Sequence, residues 1–537
     1  MSIKEQSTYL PLENAWRYLY ALAIVAFFIA LLHHHGQILF ATIPLDYYEG
    51  TMPFITGIIA DGHNPYTKPF QPVAMDAYPP LYNILVAPLT RVFDNNLLLH
   101  RAVSAAFIVI ACLLCLVATY RHSQSWLNSV AAGVTFYAAL LFYSTPVAST
   151  NAVGVTFFMA IIVIPWLREF SNRSLVFALL CGVLAFYSKQ YFIVAMAMLC
   201  LYMFLYISMY RALLLGVVFA ACLLASVAVV HKTSPYFLDN TLFSTAISTA
   251  RLQTSEMVTM QLLFFAKTYW VLLLLPLVVT LRWITDNGLT SFFQRVRDAF
   301  ATNCSQLRGP LMATRANYFW FCLFWATVAI IVSLGRNPGN FMTYLFQLMS
   351  PFLLIASFAV VSRLQGRLKL LLPLVLVVFY QTYAILPKDF STTEANWAKV
   401  NGLINSHDNI LASQIFLMTL LENNKKVYQD GHTFYFPLAK DKPRLFIKDR
   451  PEDRVEAIWA QYITDIYRKI EAKQFDLILV SPWDFNGIFG TNPPPYADVD
   501  GASYLKRFYQ LDDKFPISMT NRYGGGTWGI QAWRPKP

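Results

Sequence analysis

The chain has 537 residues, of which 56% are hydrophobic and only 13% are charged. Soluble domains carry about 25% charged residues, so this composition excludes a disordered chain, a coiled coil and an ordinary soluble enzyme. Basic residues exceed acidic residues by 11 charges, a surplus that fits either a membrane or a nucleic acid as the partner.

The charge is distributed unevenly along the chain. Residues 1–387 hold 22 basic and 12 acidic side chains, whereas residues 388–537 hold 19 and 18. The first part also contains apolar runs of about 20 residues, the length that crosses a bilayer core of about 30 Å. The sequence therefore predicts a polytopic α-helical membrane domain, residues 1–387, followed by a soluble C-terminal α/β domain, residues 388–537.

We predict eleven transmembrane helices in the membrane domain. They run over Ala15–Phe40, Leu99–Tyr120, Leu127–Tyr143, Asn151–Leu167, Ser174–Tyr187, Tyr191–Tyr210, Ala212–Val230, Leu262–Leu281, Tyr318–Leu334, Phe341–Ser362 and Leu370–Leu386.

Basic residues indicate the direction of these helices, because lysine and arginine in short loops favour the cytoplasm. In the membrane domain, 14 of them fall on the side of the N-terminus and 8 on the opposite side. This predicts a cytoplasmic N-terminus, and the odd number of spans then places residues 388–537 outside. The positive charge is mainly an orientation signal, and we predict no nucleic-acid partner.

The loop between the first two spans, residues 41–96, carries the strongest functional signal. Four carboxylates lie within residues 46–76, namely Asp46, Glu49, Asp61 and Asp76. The predicted direction puts them outside, which indicates an outward-facing reactive site. A loop lid with interfacial aromatic residues is the structural alternative.

Two helix-like stretches in the 41–96 loop, Thr51–Ala60 and Tyr82–Phe93, are predicted to lie along the membrane surface. Between them come the turn Gly62-His-Asn-Pro-Tyr66 and the segment Tyr78-Pro-Pro-Leu81.

The sequence of residues 388–537 predicts alternating short strands and helices. The helix-like stretches are Gln414–Asn423 and Pro451–Lys473, and a hairpin is predicted over Phe515–Thr520 and Thr527–Trp533 across the turn Tyr523–Gly526. The strand-like segments are Ile410–Ser413, Lys425–Gln429, Arg444–Ile447 and Phe475–Val480.

The loop motifs resemble those of the GT-C superfamily of integral membrane glycosyltransferases. Asp46 after the first span, Gly62-x-Asn-Pro-Tyr66 and Tyr78-Pro-Pro-Leu81 are similar to the bacterial branch that uses polyprenyl-phosphate-linked sugars. Ser188-Lys-Gln190, and Gly339–Tyr344 with Pro351, resemble later segments of that branch. The resemblance implies a bacterial plasma (inner) membrane protein whose C-terminal domain is periplasmic.

The resemblance also implies the chemistry. Asp46 is expected to act as the general base on an acceptor hydroxyl, with inversion at the sugar. Glu49 is expected to assist Asp46 or to bind acceptor hydroxyls. The superfamily often has a pair close to Asp-x-Asp, whereas this chain has Asp-x-x-Glu, which leaves the role of Glu49 and any divalent-metal requirement open.

Cations on the outer side are the candidates for binding the donor phosphate. Lys189 is the first choice, because it interrupts apolar sequence at a membrane boundary, where an ion is costly without a partner. Four further candidates are His231, Lys232, Arg251 and Arg336. A role as a lipid-headgroup anchor is the alternative for each of these cations.

His63, Tyr66 and Tyr78 are expected to line the acceptor side, with a purely structural role in the turn as the alternative. No cofactor and no metal site is predicted. The expected partners are the lipid bilayer, a polyprenyl-phosphate sugar donor, and a glycan, glycolipid or protein acceptor.

Two other functions remain open from the sequence. A transporter or flippase of lipid-linked glycans would show internal repeats and ionisable residues at mid-membrane. A glycan polymerase or ligase would rely on a long late outer loop with arginine and histidine. The carboxylates gathered in the first outer loop favour a transferase.

Overall fold

The computed structural model describes residues 3–46, 48–71, 73–74, 76, 78–142, 144–243, 255–288, 290–291, 294, 317–334, 344–362, 368–386, 391–428, 451–480, 501–518 and 527–537. Fourteen helices precede residue 388 in this part of the chain. They are α1 Ile3–Leu39, α2 Tyr48–Ala60, α3 Leu81–Val86, α4 Thr90–Phe93, α5 Leu97–Ser123, α6 Trp126–Leu140, α7 Thr150–Leu167, α8 Asn172–Ser188, α9 Val194–Tyr206, α10 Met209–Thr233, α11 Ser255–Asn287, α12 Tyr318–Ala329, α13 Ser350–Ser362 and α14 Leu368–Ala384.

Short helical turns connect several of these helices. Lys68–Phe70 and Gln190–Ile193 are 3₁₀ turns, while Asp239–Phe243, Ile330–Leu334 and Leu345–Met349 are π-helical turns.

The apolar helices confirm a multi-pass membrane protein. Within the described residues, six helical segments are long and apolar enough to cross a membrane: Ala15–Leu39, Leu97–Ser123, Thr150–Leu167, Met209–Thr233, Val258–Leu275 and Leu345–Ser362. Five shorter apolar helices lie at Trp126–Leu140, Asn172–Ser188, Gln190–Tyr206, Tyr318–Val332 and Leu372–Ala384. Together they coincide one for one with the eleven spans predicted from the sequence. Their buried faces form one large apolar core.

The 41–96 loop contains the predicted helices with one correction. The stretch Thr51–Ala60 lies within α2, whereas the single helix predicted over Tyr82–Phe93 is two helices, α3 and α4. Pro88 lies between them, and proline has no N–H to donate to the helical ladder. After α4, the Asn96 side chain caps α5 by accepting a hydrogen bond from the Leu99 N–H at 2.9 Å.

The C-terminal region is an α/β unit built on a four-stranded sheet in the order β1-β2-β4-β3. Its strands are β1 Ile410–Ala412, β2 Leu477–Val480, β3 Tyr509–Ser518 and β4 Thr527–Pro535. Strands β1 and β2 are parallel, and the other two pairings are antiparallel. Its helices are α15 Ser391–Asn405, α16 Leu417–Glu422, α17 Pro451–Glu471 and α18 Gly501–Phe508, with a 3₁₀ turn at Gln414–Phe416.

Most of the predicted C-terminal elements are confirmed. They are the strands β1 and β2, the helices after β1 and before β2, and the terminal hairpin.

The strand predicted over Lys425–Gln429 is wrong for residues 425–428. These residues follow Asn424, whose backbone is in the left-handed conformation, and they pair with no described strand of the sheet. Tyr428 instead packs edge-on against Phe475 at 5.1 Å between ring centres. The strand predicted over Arg444–Ile447 and the turn Tyr523–Gly526 lie outside the described residues.

Candidate active site

Glu49 and Arg101 anchor the 41–96 loop to the helix bundle. Arg101 on α5 donates from Nε to Glu49 Oε1 and from Nη2 to Glu49 Oε2, both at 2.6 Å, and both side chains are fully buried. The Glu49 oxygens also accept the backbone N–H of Leu45 at 2.6 Å and of Ala148 at 3.1 Å. Such a two-pronged, fully hydrogen-bonded pair fixes the orientation of both partners.

The same arginine also holds the start of the loop. Arg101 donates from Nη2 to the Ile43 carbonyl at 2.7 Å and from Nη1 to the Ala41 carbonyl. The segment just before Asp46 is therefore tied to the first turn of α5.

Two local turns with the same pattern hold two other carboxylates of the loop. Asp46 Oδ1 accepts a hydrogen bond from the Tyr48 N–H at 3.0 Å, and Asp76 Oδ1 accepts one from the Tyr78 N–H at 3.0 Å. Each aspartate thus closes an Asp-x-Tyr turn by bonding the backbone two residues on. Both aspartates are fully buried.

The two tyrosines that end these turns meet each other and cover a lysine. The hydroxyls of Tyr48 and Tyr78 form a hydrogen bond. The Lys189 ammonium lies 4.4 Å from the ring centre of Tyr78, 5.7 Å from that of Tyr48 and 5.4 Å from that of Tyr191. A desolvated ammonium is stabilised by such aromatic faces. The two halves of the loop and the Lys189 segment therefore converge on one point.

The helix packing explains how Lys189 reaches this position. Lys189 directly follows α8 as its C-cap, and its Nζ donates to Asn151 Oδ1 at 3.0 Å near the start of α7. One turn along α7, Gly154 faces Phe192, and a Cβ built on Gly154 would be 2.0 Å from the Phe192 ring. The absence of a side chain at Gly154 thus allows the 3₁₀ turn after Lys189 to pack directly on α7.

Charges in the cluster oppose the effect of burial. Burial raises the pKa of Asp76 to about 7, against the opposing effects of the Tyr78 N–H and the Lys189 charge. Burial likewise lowers the pKa of Lys189 to about 7, against the negative charges of Asp46 and Asp76. The cluster thus combines two carboxyl groups and one ammonium in a site closed to bulk water.

A polar layer continues from Lys189 into the bundle. The Tyr191 hydroxyl donates to the side-chain Oε1 of Gln347, and Gln347 Nε2 donates to Thr145 Oγ1 at 3.0 Å. Tyr344 packs edge-on against Tyr191 with 4.4 Å between ring centres. This layer brings the late span that begins near Tyr344 against the Lys189 segment.

The structure brings together only some of the residues predicted for the site. Asp46, Tyr78 and Lys189 are neighbours, whereas Glu49 is engaged with Arg101. Tyr66 is buried and donates from its hydroxyl to the Tyr78 carbonyl at 2.9 Å, which supports the loop beside the cluster.

The remaining predicted residues do not join the cluster in the part of the chain described. His63 is exposed and packs on the Phe70 ring, and His231 and Lys232 are exposed at the end of α10. Arg251 and Arg336 lie outside the described residues.

Tyr48 and Asn151 are parts of this cluster that the sequence did not predict, and Asp76 was predicted only as one of the four carboxylates of an outward-facing loop. The available signal was the repeated spacing, because Asp46-Tyr-Tyr48 and Asp76-Ala-Tyr78 are two Asp-x-Tyr turns in one loop. No comparable signal marks Asn151, which reaches Lys189 only through the packing of α7 against α8.

Comparison with solved structures identifies the architecture. ArnT from Cupriavidus metallidurans bound to undecaprenyl phosphate matches with a TM-score of 0.50 and 13% identity, over 97% of this chain and 98% of that chain. ArnT of the same organism in the apo state matches with a TM-score of 0.52 and 11% identity, over 95% and 98%. No protein-family model and no curated protein matches the chain. The chain therefore has the fold of these two ArnT structures over almost its whole length.

Proposed function

We propose that this protein is a glycosyltransferase that moves a sugar, a hexose or a pentose, from a polyprenyl-phosphate-linked donor to an acceptor hydroxyl on the outer face of the membrane. The observation that carries the proposal is the buried cluster of Asp46, Asp76 and Lys189 in a chain with the fold of ArnT. One ArnT structure holds undecaprenyl phosphate, which supports a polyprenyl phosphate as the lipid of the donor here.

Asp46 is the general base in this proposal. Its carboxylate accepts the proton of the acceptor hydroxyl while the acceptor oxygen attacks the anomeric carbon. The bond from that carbon to the phosphate oxygen breaks, and polyprenyl phosphate leaves with the bonding electrons. Attack from the face opposite the leaving phosphate inverts the anomeric configuration.

Lys189 is the group that stabilises the leaving phosphate. Its ammonium is held by Asn151 and by three tyrosine rings, so its position is set before the donor binds. A preorganised cation in a desolvated site stabilises developing negative charge more strongly than a cation in water. The negative charges of Asp46 and Asp76 raise the pKa of Lys189 against the effect of burial and so favour its protonated form.

A groove on the helix bundle supports a lipid-linked donor. It lies between α11 and α14, has a volume of about 910 Å³ and is lined mainly by apolar side chains, including Met260, Leu263 and the exposed Tyr380. Phe264 of the groove packs against Phe346, which precedes Gln347 of the polar layer. A polyprenyl chain in this groove would approach the site from the lipid side.

The test is a transfer assay with the purified protein in nanodiscs, using polyprenyl-phosphate sugars and hydroxyl acceptors. We expect product from the wild type and a loss of about 10²- to 10⁴-fold in kcat for Asp46→Asn. Asp61→Asn is the matched control, because Asp61 is an exposed carboxylate of the same loop. Absence of transfer from every lipid donor would overturn the function, and full activity of Asp46→Asn would overturn the assignment of the base.

The stereochemistry of the product gives an independent check. We expect the NMR spectrum of the product to show the anomeric configuration opposite to that of the donor. Retention would exclude direct displacement by the acceptor oxygen.

A further inference from the structure

We infer that the C-terminal α/β unit positions the catalytic carboxylates, with Gln414 and Thr51 as the positioning residues at the joint. This inference rests on the proposed transferase function. The joint is formed by the 3₁₀ turn Gln414–Phe416, just after strand β1, and by the first turn of α2 in the 41–96 loop.

The backbones approach each other closely at this joint. A Cβ built on Gly50 of α2 would lie 1.8 Å from the Gln414 carbonyl oxygen and 2.9 Å from its carbonyl carbon. Any larger residue at Gly50 must therefore push the C-terminal backbone away, because no flexible side chain is present there to move aside. Gly50 follows Glu49 directly and is four residues from Asp46.

A buried hydrogen bond sets the register of the joint. Gln414 Nε2 donates to Thr51 Oγ1, and both side chains are almost completely buried. A buried polar side chain that lost this partner would carry an uncompensated desolvation cost. The C-terminal unit thus has one favoured position over α2.

The two parts of the chain also share a hydrophobic core. Ile43 and Leu45, just before Asp46, pack in one buried cluster with Trp397, Phe416 and Leu417 of the C-terminal unit. Leu45 is fully buried in this cluster, and its N–H donates to Glu49. The residue that precedes the proposed base is therefore held by apolar contacts from residues about 370 positions later in the chain.

A second contact reaches the lysine side of the site. Helix α17 of the C-terminal unit contacts the π-helical turn Asp239–Phe243. The Thr241 carbonyl in that turn accepts a hydrogen bond from Gln190 Nε2 at 2.6 Å, and Gln190 follows Lys189. The C-terminal unit thus supports the carboxylate side through α2 and the ammonium side through this turn.

This arrangement makes the C-terminal unit a part of the active-site framework. The joint is buried and closely packed, and its one buried hydrogen bond described above joins Gln414 to Thr51. A displacement of about 1 Å in a catalytic group can reduce the rate about 100-fold. Disturbing the joint should therefore affect kcat more than KM.

The first experiment compares Gly50→Ala with Gly402→Ala in the full chain. A Cβ on Gly402, in helix α15 of the C-terminal unit, would meet nothing within 4 Å. We expect Gly50→Ala to lower kcat by about 10- to 100-fold with KM for the lipid donor within about twofold of wild type. We also expect its pH–rate profile to change, because moving Asp46 alters the field at Lys189, whereas Gly402→Ala should leave the rate and the profile unchanged.

The second experiment compares Thr51→Val with Thr51→Ser and decides the question even if Gly50→Ala fails to fold. Valine keeps the shape of threonine but removes the hydroxyl that accepts from Gln414, whereas serine keeps that hydroxyl. We expect Thr51→Val to lower kcat by about tenfold with a shifted pH–rate profile, and Thr51→Ser to recover most of the rate.

The outcomes separate the inference from the function on which it rests. Suppose that the wild type and Gly402→Ala transfer sugar. If Thr51→Val and any folded Gly50→Ala protein then have the kcat and the pH–rate profile of the wild type, the positioning role is wrong and the transferase function is retained. Equal losses in Thr51→Val and Thr51→Ser would also contradict it. If the wild type transfers nothing, the proposed function and this inference fail together.

Discussion

Glu49 and Arg101 are 52 residues apart in the chain and form a fully buried ion pair, with both Glu49 oxygens 2.6 Å from Arg101 nitrogens. The pair connects the first turn of α2 to the first turn of α5, and the remaining Arg101 bonds hold the segment before Asp46. The geometry thus favours a role for Glu49 in holding Asp46 in place. In the proposed function, the transfer chemistry belongs to the cluster of Asp46, Asp76 and Lys189.

Glu49→Gln should destabilise the protein strongly. Removing one partner of a buried ion pair leaves an uncompensated charge and costs about 3–5 kcal/mol. Thermal unfolding in detergent should show a clear fall in Tm. Asp465→Asn, which breaks the partly exposed Asp465–Lys469 pair, is the control and should leave Tm nearly unchanged. A Glu49→Gln protein with wild-type Tm but no activity would instead give Glu49 a direct chemical role.

Lys189→Met should weaken donor binding. The variant nearly keeps the length of the side chain but removes the charge that is proposed to bind the phosphate, and a hydrogen bond to a charged group contributes about 1.5–3 kcal/mol. We therefore expect Kd for a polyprenyl-phosphate sugar to rise by about 10- to 100-fold in a binding assay. Lys232→Met, at an exposed position on α10, should bind the donor normally. Equal losses in both variants would point to general attraction of anionic lipid.

The transfer rate should have a narrow maximum near pH 7, because the pKa values of Asp76 and Lys189 are both about 7. The Asp76 carboxyl loses its proton as the pH rises, which gives the rising limb. The Lys189 ammonium loses its proton over the same range, which gives the falling limb. Initial rates across the neutral range measure both limbs.

Asp76→Asn tests this assignment of the limbs. It removes the titrating carboxyl and also a negative charge that raises the pKa of Lys189. The rising limb should disappear and the falling limb should move to lower pH. An unchanged profile would show that neither group controls the rate.

Gly154→Ala should disturb both stability and the position of Lys189. The added Cβ would overlap the Phe192 ring, and overpacking of this kind typically costs about 1–3 kcal/mol. We expect a lower Tm together with weaker donor binding, because Phe192 lies in the turn that follows Lys189. Gly36→Ala on α1 is the control, since a Cβ there would meet nothing within 4 Å. A Gly154→Ala protein with normal Tm and donor affinity would contradict this packing role.

Much of the fold follows from local patterns in the chain. Apolar runs such as Asn151–Leu167 and Tyr318–Leu334 must be helices in lipid, because only a helix satisfies its own backbone hydrogen bonds there. Short apolar segments between turn residues likewise predicted strands β1 and β2. The break at Pro88 follows from a local property, the missing N–H of proline, whereas residues 425–428 pair with no described strand of the sheet although their sequence favours one.

By itself, the sequence determined the membrane architecture, the position of the carboxylate-rich loop and the place of Lys189 at a membrane boundary, because composition, span length and the cost of an ion at such a boundary are local properties. The role expected for Asp46 came from the resemblance of the loop motifs to a known superfamily. Only the tertiary structure decided that Glu49 pairs with Arg101, that Asp76 and Asn151 join Lys189, and that the C-terminal unit packs against the first turn of α2. Those pairings connect residues tens to hundreds of positions apart, and desolvation makes each buried charge depend on partners that no local pattern specifies.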